Sequence, residues 1–192
     1  MKTKRLLLLR LAFLLLVVTP LAAWLLVKPV RVLAPALVGL SCDRGPVCTD
    51  DPQRWQAASD LYAEGMAFVS DSIAPLETAP RAVFCATQAC ADRFGLGARA
   101  AVTVGTWGIV LAPRAWQPHF IRHELIHVLQ GQRLGVIRRL LMPTWFVEGM
   151  AYSLSEDPRA PLAAPWEAHR ARFKAWLAGI ARERFWVEAG QL

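Results

Sequence analysis

The run from His123 to His127 reads HELIH and places two histidines and Glu124 inside an otherwise apolar stretch. Proline suits the first turn of a helix and glycine its end, which predicts a helix from Pro118 to Gly131. Residues four apart in a helix share one face, so the two imidazoles could bind a single metal ion. Unpaired polar groups are costly in an apolar core, and metal binding would satisfy these side chains. Any fold of this chain must meet that requirement.

A second segment, from Thr144 to about Ser155, also has the pattern of a helix, with Thr144 as a candidate N-cap. Glu148 lies in it, 21 residues after His127, and its neighbours are mostly apolar. Charged side chains are seldom buried unless they are paired or bind a metal. Zinc in catalytic sites takes three protein ligands and keeps one position for water. The two segments therefore predict a Zn²⁺ site with His123, His127 and Glu148 as ligands.

These two segments resemble the gluzincin branch of the zincin metallopeptidases, in which HExxH on one helix precedes a glutamate ligand in an EGxA-like run on the next. The resemblance covers roughly residues 116–155. It implies a zinc-dependent peptidase that binds the metal through His123, His127 and Glu148. In such an enzyme Glu124 is the general base that acts on the metal-bound water.

Three further side chains lie near these motifs. Tyr152 and His169 are candidates for stabilising the oxyanion, and a packed aromatic ring and a surface imidazole are the alternative interpretations. His119 forms an i, i+4, i+8 stripe with the motif histidines, but the outer two rings would lie about 12 Å apart along the helix. Zinc–nitrogen bonds of about 2.0–2.1 Å cannot span that distance. We therefore expect His119 at the rim of the cleft and not among the ligands.

The amino-terminal segment predicts a membrane anchor. An apolar run from Leu11 to Val27 is long enough to span a bilayer, and it extends if Arg10 reaches the interface. Basic residues before the run keep the amino terminus cytoplasmic, which puts the rest of the chain on the extracytoplasmic (periplasmic) side of the cell membrane. A cleaved signal peptide is the alternative, but the run is long for one. We therefore favour an uncleaved, single-pass signal anchor.

The distribution of charge argues against binding to nucleic acid. The formal net charge is +7, but six basic residues precede residue 32 and no acidic residue precedes Asp43. Beyond residue 31 the basic residues outnumber the 15 acidic ones by one, so the high isoelectric point reflects the membrane flanks. The pair Arg138-Arg139 is interpreted as solvated, with contact to anionic lipid or substrate as the alternative. The six early basic residues are Lys2, Lys4, Arg5, Arg10, Lys28 and Arg31.

Four cysteines follow the apolar run, which predicts disulfides formed in an oxidising compartment. They allow three connectivities: the local pairs Cys42–Cys48 and Cys85–Cys90, or crossed pairs that would tie the segment after the membrane to the rest of the chain. Neither local pair has the two-residue spacing typical of a zinc knuckle. We therefore predict disulfides and leave their connectivity open.

The pattern of apolar residues past the anchor predicts an α+β fold, mostly helical with a small sheet. Its predicted elements are helices at residues 53–72 and 166–177, a strand at 81–86 with a helical turn through 90–94, and a hairpin of strands at 100–104 and 108–112. In zincins a strand of this kind lines the cleft and pairs with an extended substrate, and the resemblance implies the same role here.

We divide the chain into an anchor (residues 1–29), a linker (30–52) and a zincin-like metallopeptidase domain (53–192). The predicted function is that of a membrane-tethered, extracytoplasmic zinc peptidase acting on peptide or protein substrates. One alternative is a zinc-binding envelope protein without peptidase activity, an assembly factor or chaperone. Such a protein would have no chemical reason to keep Glu124. A structural envelope protein without a metal is the other, and it leaves the two histidines and the second glutamate unexplained.

Overall fold

The structure is a computed structural model that describes residues 2–42 and 45–192. Met1, in the predicted anchor, and Asp43 and Arg44, in the predicted linker, lie outside the described residues. The α-helices are, in chain order, α1 (Lys2–Phe13), α2 (Thr19–Leu26), α3 (Trp55–Ser72), α4 (Gln88–Arg93), α5 (Pro118–Leu134), α6 (Val136–Leu141), α7 (Thr144–Leu154), α8 (Trp166–Leu177) and α9 (Phe185–Ala189). The strands are β1 (Val47–Thr49), β2 (Arg81–Phe84), β3 (Ala101–Val104) and β4 (Gly108–Leu111). The predicted arrangement, mostly helical with a small sheet after an apolar helix, is confirmed.

The amino-terminal helix runs without a break from Lys4 to Leu26, 23 residues, and its most apolar stretch of 18 residues has a mean hydropathy of 2.4 and no buried residue. Its length and composition are sufficient to cross a membrane, and a signal sequence near the amino terminus meets the same criteria. A π-helical stretch, Leu14–Val18, joins α1 to α2. It lies just before Pro20, whose missing N–H interrupts the helical hydrogen-bond ladder.

Residues 30–52, which the sequence predicts to be a linker, contribute buried side chains to the folded body. Val32, in a short 3₁₀ helix (Lys28–Leu33), is fully buried and packs directly over Gly108 of β4. The Arg81 guanidinium donates to the carbonyl oxygens of Val32 (3.3 Å) and Leu33 (2.7 Å). Several apolar side chains of this segment, Val32, Leu40 and Val47 among them, are thus buried, and β1 adds a strand to the sheet.

The side chain of Arg31 bridges the junction between α2 and the body. The guanidinium of Arg31 donates to the carbonyl oxygens of Trp24 and Leu25 at the end of α2, at 3.3 Å each. It also donates to the carbonyl of Arg93 at the end of α4, at 2.6 Å. The charge lies 5.1 Å from the centroid of the Trp24 ring, within range of a cation–π contact. Arg31 therefore links the apolar helix to the folded body.

The sheet has the order β1-β2-β4-β3, with β1, β2 and β4 parallel and β3 antiparallel to β4. The predicted hairpin of β3 and β4 is confirmed, and β3 is an edge strand of the sheet in the described part of the chain. Successive side chains point to opposite faces of a strand. In β2, Ala82 and Phe84 face the larger core with α3, α5 and α7, whereas Val83 faces a smaller core with α4.

Both disulfides are local pairs, Cys42–Cys48 and Cys85–Cys90. The prediction that the cysteines form disulfides is confirmed, and of the three connectivities the structure has the local one. Cys48, Cys85 and Cys90 are buried in the smaller core, on the face of the sheet that Val32 also covers. The disulfides therefore stabilise the side of the sheet that faces away from α5.

Several element boundaries differ from the predictions. Gly131 does not end its helix, since α5 continues to Leu134. The missing Cβ of Gly131 instead leaves room for the Thr106 methyl group. The helix stops before Gly135, whose positive φ of 88° suits a glycine. Thr144 is the first residue of α7 and makes no capping hydrogen bond. The helix α8 has the predicted bounds, and a short further helix, α9, which was not predicted, follows it.

We expect Val32→Asp to destabilise the protein by at least about 3 kcal/mol, because it would bury an unpaired charge against the sheet. Leu37→Asp is the matched control: Leu37 is 71% exposed in the same segment, and its change should stay within about 0.5 kcal/mol. Denaturant unfolding of the protein in detergent, followed by tryptophan fluorescence, measures both. Equal stability of the two variants would show that residues 30–52 are not part of the folded body.

Candidate metal centre

Two packed helices bring the predicted ligands together. His123 and His127 lie one turn apart on α5, and Glu148 lies on α7, which packs against it. On its other side α7 lies so close to α8 that a Cβ at Gly149 would collide with the carbonyl of His169. Glycine at this position therefore allows α7 to pack closely between α8 and α5. This packing places Glu148 of α7 next to the two imidazole rings.

The ligand atoms of these three residues form a compact triangle. The Nε2 atoms of His123 and His127 are 3.1 Å apart, and each lies 3.5 Å from a carboxylate oxygen of Glu148. Two ligands about 2.0–2.1 Å from a tetrahedral zinc ion lie about 3.3–3.4 Å from each other. The three residues could therefore hold a metal ion without rearrangement.

The protonation of the second histidine favours metal binding. Its Nδ1 lies 2.9 Å from Oε1 of Gln130, while Nε2 of the same amide donates to the carbonyl of Val147 at 2.9 Å. An amide oxygen only accepts hydrogen bonds, so Nδ1 of His127 carries the proton and Nε2 presents a lone pair to the centre of the triangle. Burial lowers the pKa of His127, which keeps the ring neutral.

The carboxyl group of Glu124 lies beside the triangle and is held by Thr103 of β3. The Thr103 hydroxyl lies 2.6 Å from Oε2 and donates a hydrogen bond to it. Burial raises the pKa of the Glu124 carboxyl, against the opposing effects of His127 and of this hydrogen bond. For Glu148 burial also acts to raise the pKa, but the hydrogen bond with His123 and the electrostatic effects of the two histidines and Arg139 lower it overall.

The triangle opens into a cavity of about 490 Å³, within the size range of ligand sites. Tyr152, a predicted oxyanion residue, lines this cavity, and its ring centroid is 4.5 Å from that of His123. Burial raises the pKa of Tyr152 to about 12, with a further contribution from the Glu148 charge, so the hydroxyl is a donor at neutral pH. His169, the other candidate, packs its ring against Trp166 and is not among the side chains that line the cavity.

His119 and Arg139 occupy other positions than predicted. His119 is buried rather than at a rim, because its ring packs against that of Phe120 with centroids 4.3 Å apart. The interpretation of the arginine pair as solvated is wrong for Arg139, which is 9% exposed and lines the cavity. Its neighbour Arg138 does face solvent, and it donates to the carbonyl of Gly190.

The site contains two residues that the sequence analysis did not identify, Gln130 and Thr103, and a third, Arg139, that it interpreted as solvated. Gln130 had a local signal, since a polar side chain three residues after His127 lies on the same helix face. Thr103 is polar among apolar residues of a predicted strand, which does not specify its partner. Arg139 is distinguished from its neighbour only by the orientation of α6.

No family model, curated protein or solved structure matches this chain in the comparisons made. The chemical role of the centre is therefore inferred from its own geometry and its donor atoms. Two imidazoles and a carboxylate are a donor set that zinc accepts.

We expect Gln130→Leu to weaken binding of a divalent cation roughly 10- to 100-fold, because the His127 ring would lose the partner that sets its tautomer. Gln132→Leu is the matched control on the same helix, since its amide binds Glu77 and Thr78 and not the centre. Zinc affinity measured by competition with a chelator compares the two. Unchanged affinity in the Gln130 variant would show that this hydrogen bond does not prepare the site.

Proposed function

We propose that the protein is a zinc peptidase of the zincin type, similar to gluzincins, with His123, His127 and Glu148 as the ligands of Zn²⁺. The observation that carries the proposal is the convergence of three donor atoms at the spacing of a tetrahedral ion, with a held carboxyl group beside them. Without a proton or a cation between them, the acceptor atoms of such a triangle repel one another. A divalent cation removes that repulsion.

A zinc ion bound there would lower the pKa of a coordinated water and polarise a substrate carbonyl. Glu124 takes the proton of the attacking water and delivers it to the leaving amine nitrogen. Thr103 orients the Glu124 carboxyl through its 2.6 Å hydrogen bond. The neutral phenol of Tyr152 is the candidate donor to the carbonyl oxygen as negative charge develops on it, because it lines the same cavity.

The substrate is a peptide or protein in an extended conformation. The edge strand β3 lines the cavity through Ala101, Val102 and Thr103, and its only ladder partner among the described residues is β4. An edge strand offers free backbone groups, and an extended peptide can add to it as a further strand. This arrangement would lay the peptide backbone along the wall of the cavity that carries Thr103.

The proposed location is the extracytoplasmic side of the cell membrane, with the amino-terminal helix as a single-pass anchor. The apolar helix and the basic residues ahead of it support this orientation. The two disulfides support an oxidising compartment for the body. The membrane would then be a partner of the helix, and nucleic acid is not expected as a partner of the nearly neutral remainder.

We expect the purified protein to contain about one zinc ion per chain, and His127→Ala to lose both zinc and peptidase activity because a ligand is removed. Elemental analysis by mass spectrometry measures the metal. A wild-type protein that binds no zinc would rule out the proposal. Zinc-loaded wild type without activity on any peptide of a library would instead favour the alternative of a zinc-binding assembly factor or chaperone.

We expect Glu124→Gln to keep its zinc and to lose hydrolysis by roughly 10²- to 10⁴-fold, because the amide cannot accept the proton of the water. Glu183→Gln, at an exposed position outside the cavity, is the control and should retain full activity. Initial rates on a mixed peptide library, with zinc content measured in parallel, test the role of Glu124. Full activity in the Gln variant would refute its assignment as the base.

A further inference from the structure

Three arginine side chains line the cavity, and two of them are already engaged. Arg159 forms an ion pair with Asp157 at 2.5 Å, and their side chains also make hydrogen bonds of 2.8 and 3.1 Å. Arg99 donates to the carbonyl oxygens of Gly95 (2.8 Å) and Leu96 (3.3 Å). The third, Arg139, differs from both.

Arg139 is buried, and no side-chain hydrogen bond or ion pair to it is found among the described residues. Its Nε atom is inaccessible to solvent and has no acceptor. A buried charge without a partner costs free energy, and guanidinium groups are retained in such places where they bind a carboxylate or phosphate. The side chain lines the cavity that also contains Glu124.

The acidic groups of the centre do not fill this role. Glu148 faces the two histidines at 3.5 Å, and Glu124 accepts its hydrogen bond from Thr103. Both carboxylates act on Arg139 through space only, with Glu124 the stronger influence. With a divalent ion at the centre, the cavity carries more positive than negative charge, which favours an anionic group on whatever enters it.

We propose that Arg139 binds a carboxylate of the substrate, so that the enzyme prefers peptides with a carboxylate close to the scissile bond. A planar guanidinium matches a carboxylate through two parallel hydrogen bonds. The carboxylate comes from an Asp or Glu side chain or from the carboxyl terminus of the peptide. This inference rests on the proposed peptidase function and adds a substrate class to it.

Three peptides that differ only in their carboxylates test the preference and its source. One carries an internal Glu and an amidated carboxyl terminus, the second carries Gln and a free carboxyl terminus, and the third carries Gln and the amide. The sequence around them is the best substrate from the library digest. We measure kcat/KM for each with the full-length, zinc-loaded protein in detergent micelles.

The variants are Arg139→Met, Arg139→Lys and the control Arg138→Met, which changes an exposed neighbour on the same short helix. We expect wild type and the control to prefer one acidic peptide over the neutral one by roughly 10- to 100-fold. Arg139→Met should lower kcat/KM on that acidic peptide far more than on the neutral one, so that the preference disappears, and Arg139→Lys should retain part of it. Zinc content and circular dichroism establish that each variant is folded.

A wild type with the same kcat/KM on the neutral peptide as on both acidic peptides would overturn the inference. So would an equal loss on all three peptides in a folded Arg139→Met protein, since Arg139 would then act through Glu124 and not on the substrate. The acidic peptide that carries the preference identifies the source of the carboxylate.

Binding to zinc-loaded Glu124→Gln separates this inference from the peptidase proposal, because it needs no turnover. Isothermal titration with the three peptides should give the same preference in binding, and the added change Arg139→Met should remove it. Preferential binding by a protein whose wild type cleaves nothing would leave Arg139 assigned and refute the peptidase function. Cleavage by the wild type without preferential binding would support the peptidase function and refute the role of Arg139.

Discussion

The mutual approach of three electron-rich atoms is the constraint on which this structure depends. The nitrogen atoms of His123 and His127 stand 3.1 Å apart, with the Glu148 carboxylate 3.5 Å from both. Such a group is costly unless a proton or a cation lies between its members, because the lone pairs of the nitrogen and carboxylate oxygen atoms repel one another. The packing of α7 against α5 must therefore hold these three side chains together.

The packing around α5 and α7 provides that support. Phe146, two residues before Glu148 on α7, is fully buried in an aromatic cluster with Phe173, Trp176 and Phe185. Aromatic residues contribute large buried areas with defined geometry, so this cluster fixes the helix that carries Glu148.

On the other side of α5, Arg122 bridges three segments of the chain. It binds Glu64 of α3 and Glu156 just beyond α7, and its charge lies 3.9 Å from the centroid of the Phe68 ring. The side chain immediately before His123 therefore ties α5 to both of its neighbours. The centre is held from several directions and depends on no single contact.

Much of this arrangement followed from local patterns in the sequence. The spacing of His123 and His127 and the apolar neighbours of Glu148 were sufficient to select the residues that meet, since helical periodicity alone decides which side chains share a face. The hairpin before α5 was also predicted from a local pattern, two short β-rich runs around a glycine turn. Turn chemistry and periodicity are properties of neighbouring residues, so they can be read without tertiary information.

The missed features depend on contacts between distant parts of the chain. The strand β1 has only three residues, and its pairing with β2 defines it. Arg139 and Arg138 are identical by type and adjacent, and only the orientation of α6 buries one and exposes the other. Val32 looked like part of a linker because its partner, Gly108, lies far along the chain.

The hydrogen bonds of Arg31 to α2 and α4 have a consequence for the reach of the protein. The guanidinium joins the end of α2 to the end of α4 through three hydrogen bonds, so no free linker separates the apolar helix from the body at this point. If the helix lies in a bilayer, this joint would keep the body next to the lipid surface. The cavity would then meet mainly molecules that are themselves close to the membrane.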